Sequence, residues 1–162
     1  MKSGTFTDLT VMVEGKKVLL HKAIVSARSE YFEASLKNDF KEKTESMIEI
    51  KECSYDGFYK MCEHIYDDKA PLEYASIYIL MEMADRFGVL HLKKRLECTV
   101  VEFIMIENAA KIFKFSNKYN YDRLRNICLS YIDEHYSHII NTEEFAELEK
   151  DDILRIVRLQ SS

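Results

Sequence analysis

The sequence predicts an α+β protein: a small three-stranded sheet near the N-terminus, capped by helices and followed by helical hairpins. Two β-branched, apolar runs flank a glycine early in the chain, and a third short strand pattern ends at Ile50. After that point no strand signal returns, and apolar residues recur at helical spacing. One proline and four glycines in 162 residues are too few for a turn-rich sandwich or barrel. With 47% hydrophobic and 12% aromatic residues, the chain can bury enough apolar surface to offset its conformational entropy. Its length suits one globular domain carrying a helical extension.

The first strand reads as Asp8–Glu14, turned by Gly15-Lys16 into a second run, Lys17–Leu20. From His21 the period becomes helical, with Ile24, Val25 and Arg28 on one face, and a second short helix reopens at Ser29-Glu30 with Tyr31, Phe32 and Leu36. The stretch from Phe40 to Ser46 is polar and charged and leads into a third strand in which Ile48 and Ile50 share a face. Ser54 caps a helix carrying Phe58, Met61, Cys62 and Ile65, which stops near Asp67-Asp68. Pro71 holds the next residues extended. Ile77, Leu80, Met81, Ala84 and Phe87 then form a helix that Gly88 ends, and Val89, Leu92, Leu96, Val100 and Phe103 line the following one. Helical pairs are expected at 107–118 with 122–140, and at 143–148 with 151–157, where Thr142 and Asp151 are the N-caps.

Composition also excludes functions. Lys plus Arg total 23 against 28 Asp plus Glu, a net charge of -5, so the chain lacks the basic face that nucleic-acid binding by counterion release requires. Lys93, Lys94 and Arg95 read as a solvated helix face. Cys53, Cys62, Cys98 and Cys128 are widely spaced and read as buried free thiols of a reducing compartment, cytoplasm or nucleus. No apolar run approaches the roughly 18 residues of a membrane span, and no signal-peptide pattern follows Met1. The chain opens almost directly into a strand at Thr7 and reads as a fragment of something longer. His135 and His138 lie at i, i+3, yet no third ligand is indicated, so neither a metal nor another cofactor is expected. Phosphate-loop and nucleophile-elbow motifs are missing, and Cys62 and His64 stand two apart on a helix, pointing in different directions. No enzyme is predicted. The aromatics sit mostly at core spacing, except Phe40, a large ring among Asn38, Asp39, Lys41, Glu42 and Lys43.

The stretch from Thr7 to Phe32, with Asp8-Leu-Thr-Val-Met-Val, a turn, and His21-Lys-Ala-Ile-Val-Ser-Ala-Arg-Ser-Glu-Tyr-Phe32, resembles the opening of a BTB/POZ domain. The likeness runs over residues 7–104, after a tail at 1–6. Residues from Glu107-Asn-Ala-Ala110 onward resemble the 3-box or BACK-type helices that follow it in ubiquitin-ligase adaptors, here 105–158 with a tail at 159–162. The resemblance implies that Asp8, His21 and Lys22 form a structural charged pocket near a dimer interface, with His21 structural and not catalytic. It also implies that Phe40-Lys41-Glu42 is the hydrophobic-x-acidic motif that engages the third cullin. Phe40 would enter the cullin as an anchor and Glu42 would accept hydrogen bonds; the plainer alternative folds Phe40 back under its own helix. Tyr66, where the family often reads Tyr-Thr-Gly and this chain has Tyr66-Asp67-Asp68, lies close to that face. The implied function is an adaptor that recruits a RING ubiquitin ligase to substrates held outside this chain, with homodimerisation open. The alternative is a homo-oligomeric or corepressor scaffold that meets no cullin.

Overall fold

Alternation of β-branched and apolar residues builds the first element. In the computed structural model, which describes residues 6–37 and 46–159, strand β1 (Leu9–Val13) buries Leu9, Val11 and Val13 and turns Thr10 and Met12 outward. It pairs antiparallel with β2 (Lys16–Leu20) and parallel with β3 (Ser46–Ile50), in the order β2-β1-β3. The turn lies one residue earlier than expected: Lys16 pairs with Val13, and Glu14 and Gly15 both take positive φ (48° and 73°), as a type I′ hairpin turn requires. Ile48 and Ile50 pair with Val11 and Val13, which puts all four on one face. Parallel pairing needs a crossover between the hairpin and β3, and the two short helices α1 (Lys22–Arg28) and α2 (Glu30–Leu36) lie in it.

The chain folds as two units, Met1–Leu96 and Glu97–Ser162. In the first, α3 (Tyr55–Tyr66) starts where the Ser54 hydroxyl accepts the Gly57 N–H, and it buries Phe58, Met61, Cys62 and Ile65 as the spacing predicts. A 3₁₀ turn (Tyr74–Ser76) leads into α4 (Ile77–Arg86). Gly88, at φ 59°, ends α4 as a Schellman cap: Val89 N–H donates to Ala84 O at 2.8 Å and Gly88 N–H to Asp85 O at 3.1 Å. Phe32, Phe58 and Phe87 form the centre of this core, with ring centroids 5.4–6.3 Å apart. On α1 only Lys22 and Val25 are buried; Ile24 and Arg28, expected beside Val25, face outward. Helix α5 (Leu90–Val101) follows, and Phe103, expected to line it, lies past its end and is 36% exposed.

In the second unit α6 (Ala109–Lys118) packs on α7 (Asp122–Glu134), and Ala109, Ile112, Phe113 and Ser116 of the one and Leu124, Cys128 and Ile132 of the other are buried. Asn120, at φ 57°, ends α6 with Tyr121 N–H on Ser116 O. The helix expected over 122–140 is broken at His135, whose ring stacks on Tyr131 with its Nδ1 3.0 Å from the Tyr131 carbonyl; a one-turn helix, α8 (Tyr136–Ile139), follows. Thr142 caps α9 (Glu143–Ala146) as expected. Asp151 does not cap α10 (Lys150–Leu159), because that helix begins one residue earlier and places Asp151 inside its first turn. Its neighbour Asp152 accepts the Asn117 amide at 2.9 Å and ties α10 to α6.

Candidate partner-binding site

Phe40 and Glu42 lie outside the described residues. Each of the other expected site residues is placed. Asp8, at the start of β1, reaches the N-terminus of α1, where its Oδ1 accepts the Lys22 backbone N–H at 2.8 Å. His21 makes no side-chain cap of its own, so Asp8 satisfies one of the first-turn donors from across the fold. Lys22 is 4% exposed. The Tyr66 hydroxyl accepts the His21 N–H at 2.8 Å and lies 2.9 Å from His21 Nδ1. Asp8, His21, Lys22 and Tyr66 therefore form one continuous group joining β1, α1 and the end of α3. Burial pushes the Tyr66 phenol up from its ordinary value, with the His21 N–H opposing. Tyr66 thus joins His21 through its hydroxyl, while its ring stays half-buried beside the loop that follows.

That loop is held by a second group that the sequence reading missed. Arg28 of α1 lies 2.5 Å from Asp68 and, chiefly through that hydrogen bond, holds the exposed carboxyl below the usual carboxylate range. His91 Nε2 lies 3.4 Å from Asp68 and 3.2 Å from the His64 carbonyl; since both are acceptors, Nε2 carries the proton. Arg95 donates to Ala70 O at 2.9 Å, and its other terminal nitrogen lies 3.3 Å from His64 Nδ1. Lys93 donates to Asp85 at 2.6 Å. Of the three cations read as a solvated helix face, only Lys94 is exposed. Partners 25 to 40 residues apart leave no trace in local spacing.

Between the outer side of α3 and the 70–76 segment lies a cavity of about 700 Å³, bordered by Tyr59, Lys60, His64, Tyr66 and Ser76 among others. The size is that of a ligand site. Burial pushes the Cys62 thiol far above the ordinary thiol range and, in the second unit, the Cys128 thiol up to about 12. Cys98 is exposed, against the expectation that all four thiols are buried. His138 Nδ1 lies 3.3 Å from Ser137 Oγ, and among the described residues no group of three His, Cys, Asp or Glu could hold a metal ion. No described helix is long and apolar enough to cross a membrane.

The chain belongs to the BTB/POZ family: the BTB/POZ domain model matches residues 1–104, the stretch that holds the three-stranded sheet and its crossover helices. A second model, BTB And C-terminal Kelch (BACK), matches residues 109–161. Human Kelch-like protein 6 is 28% identical over 155 residues, 96% of this chain and 25% of that protein. Mouse TD and POZ domain-containing protein 3 is 28% identical over 92% of this chain and 41% of its own length. The chain therefore spans between a quarter and two-fifths of these curated relatives. The BTB domain of zebrafish PATZ1 superposes with a TM-score of 0.52 at 21% identity, covering 60% of this chain and 78% of that one, a likeness of fold.

Proposed function

We propose that this chain is a non-enzymatic interaction module, BTB at 7–104 and helical extension at 105–158, acting in the cytoplasm or nucleus as an adaptor between the third cullin and substrates bound by other parts of a longer protein. The observation that carries this reading is the hydrophobic-x-acidic triplet Phe40-Lys41-Glu42, placed between α2 and β3 in a chain that pairs a BTB with a BACK region. Phe40 is the apolar anchor, Glu42 the acceptor that holds the loop or the partner, and Tyr66 a further ring of the cullin-binding face. Affinity in such interfaces concentrates in a few anchors. Phe40→Ala is expected to weaken calorimetric binding of the purified cullin N-terminal domain by about thirtyfold, equivalent to about 2 kcal/mol, while unfolding stability changes by less than about 0.5 kcal/mol. Unchanged affinity in the variant would overturn the assignment.

A second reading, homotypic assembly, draws on the outward face of the sheet. Leu19 and Met47 both pair with Thr10, so they share that face, and they are 46% and 74% exposed. Single exposed apolar residues are ordinary, but two on one sheet face give a second copy something to cover.

A further inference from the structure

The 700 Å³ cavity beside α3 is bordered by a buried histidine. His64, 4% exposed, borders it. Arginine is a donor only, so Arg95 Nη1 at 3.3 Å makes His64 Nδ1 the acceptor and leaves the imidazole neutral with its proton on Nε2. Desolvation first, then Arg95, lowers the His64 pKa, in agreement with that tautomer. Nε2 has no protein partner among the described residues, yet no fully buried side-chain nitrogen or oxygen there lacks one, so Nε2 opens onto free space. The cavity is the space that His64 borders. His64 thus brings an N–H donor to the cavity wall, with Arg95 on the opposite ring nitrogen.

The rim is acidic. Glu63, Asp67 and Glu73 border the cavity with one ammonium, Lys60, while the Arg95 guanidinium lies against the lining residues His64 and Ala70. That ammonium is already committed, donating to Ser76 Oγ at 2.6 Å and facing Asp56 at 4.0 Å. Ala70, Pro71 and Leu80 supply apolar wall. A carbonyl acceptor for His64, an aliphatic stem for the wall and a cation for the rim together describe one ligand. From this arrangement we infer that the cavity binds a lysine-type cationic side chain of an extended peptide, with a backbone carbonyl of that peptide accepting the His64 Nε2–H. The site needs neither Phe40 nor Glu42 and shares only Tyr66 with the cullin reading.

The test is a ¹⁵N–¹H NMR titration of the 162-residue chain with three capped tripeptides, acetyl-Ala-Lys-Ala-amide and its norleucine and glutamate counterparts. The lysine peptide is expected to give saturating shifts in the amides of Tyr59–Leu80, and to bind about tenfold more tightly than the norleucine peptide, which keeps the aliphatic stem and lacks the ammonium group. Glu63→Gln combined with Glu73→Gln, both at exposed positions, is expected to remove most of that selectivity without touching the core. His64→Leu is expected to weaken all lysine-peptide binding while His64→Gln, which keeps an N–H donor, restores part of it. Norleucine binding equal to lysine, preference for glutamate, or no saturating shifts in this region would each overturn the proposal. The double carboxamide variant decides the matter even if the His64 variants fail to fold.

Discussion

At the residue scale the structure is organised by polar groups that reach across the fold to ends of helices. Asp8 holds the first N–H of α1, and Tyr66 takes the one before it. Loss of a helix-capping carboxylate typically costs about 1 kcal/mol, and leaving a buried donor unmet adds to it. Asp8→Ala should therefore lower the urea midpoint by an amount equivalent to about 1 kcal/mol, with an unchanged m-value. His64 gives the same scale a pH dependence. Its folded-state pKa lies below the ordinary 6.5, so on acidification the unfolded chain takes up the proton first. Stability is then lost as the pH falls through 6.5 and recovered above it. Urea unfolding at a series of pH values should show this slope for the native sequence and a flatter one for His64→Gln. A slope of opposite sign would refute the buried, neutral imidazole.

Elements are set by where they stop. Both α4 and α6 end on a left-handed residue, Gly88 and Asn120, which turns the chain sharply enough to lay the next element back on the core. Gly15 and Gly88 share that conformation but differ in their surroundings. A Cβ at Gly15 would meet nothing within 4 Å, whereas one at Gly88 would stand 2.8 Å from the Glu30 Cβ. Gly15→Ala carries backbone strain alone, on the order of 1 kcal/mol. Gly88→Ala adds displacement of α2 to the same strain, so its thermal midpoint should fall clearly below that of Gly15→Ala. Equal midpoints would mean that α2 yields without cost. The break at His135 belongs to this scale too. Apolar spacing continues through it at Ile132 and Ile139, and so conceals a helix end that ring stacking and a local hydrogen bond decide.

For the whole molecule, the two readings of function use different surfaces. The adaptor reading places affinity in the segment between α2 and β3, while homotypic assembly places it on the outer face of the sheet. Leu19→Lys with Met47→Lys separates them, because both side chains already face outward and the substitutions leave the core intact. If copies assemble through that face, light scattering will show a dimer that these charges dissociate. If the chain serves as an adaptor, the same variant will bind the cullin domain with native affinity. Weakened cullin binding in this variant would mean that neither surface has been assigned correctly.

What the amino-acid order determined by itself was local. Alternating β-branched residues make Leu9–Val13 a strand, the Ser54 hydroxyl starts α3, Gly88 ends α4, and the run from Thr7 to Phe32 carries the family likeness. Each of these depends on groups a few residues apart, so spacing is enough to read them. Tertiary structure alone decided that Asp8 caps α1 from fourteen residues away, that Tyr66 joins His21, and that Arg95, seemingly part of a solvated basic face, orients a buried His64. Those contacts form only after the chain has closed loops of tens of residues, and a one-dimensional pattern does not record which distant groups then meet.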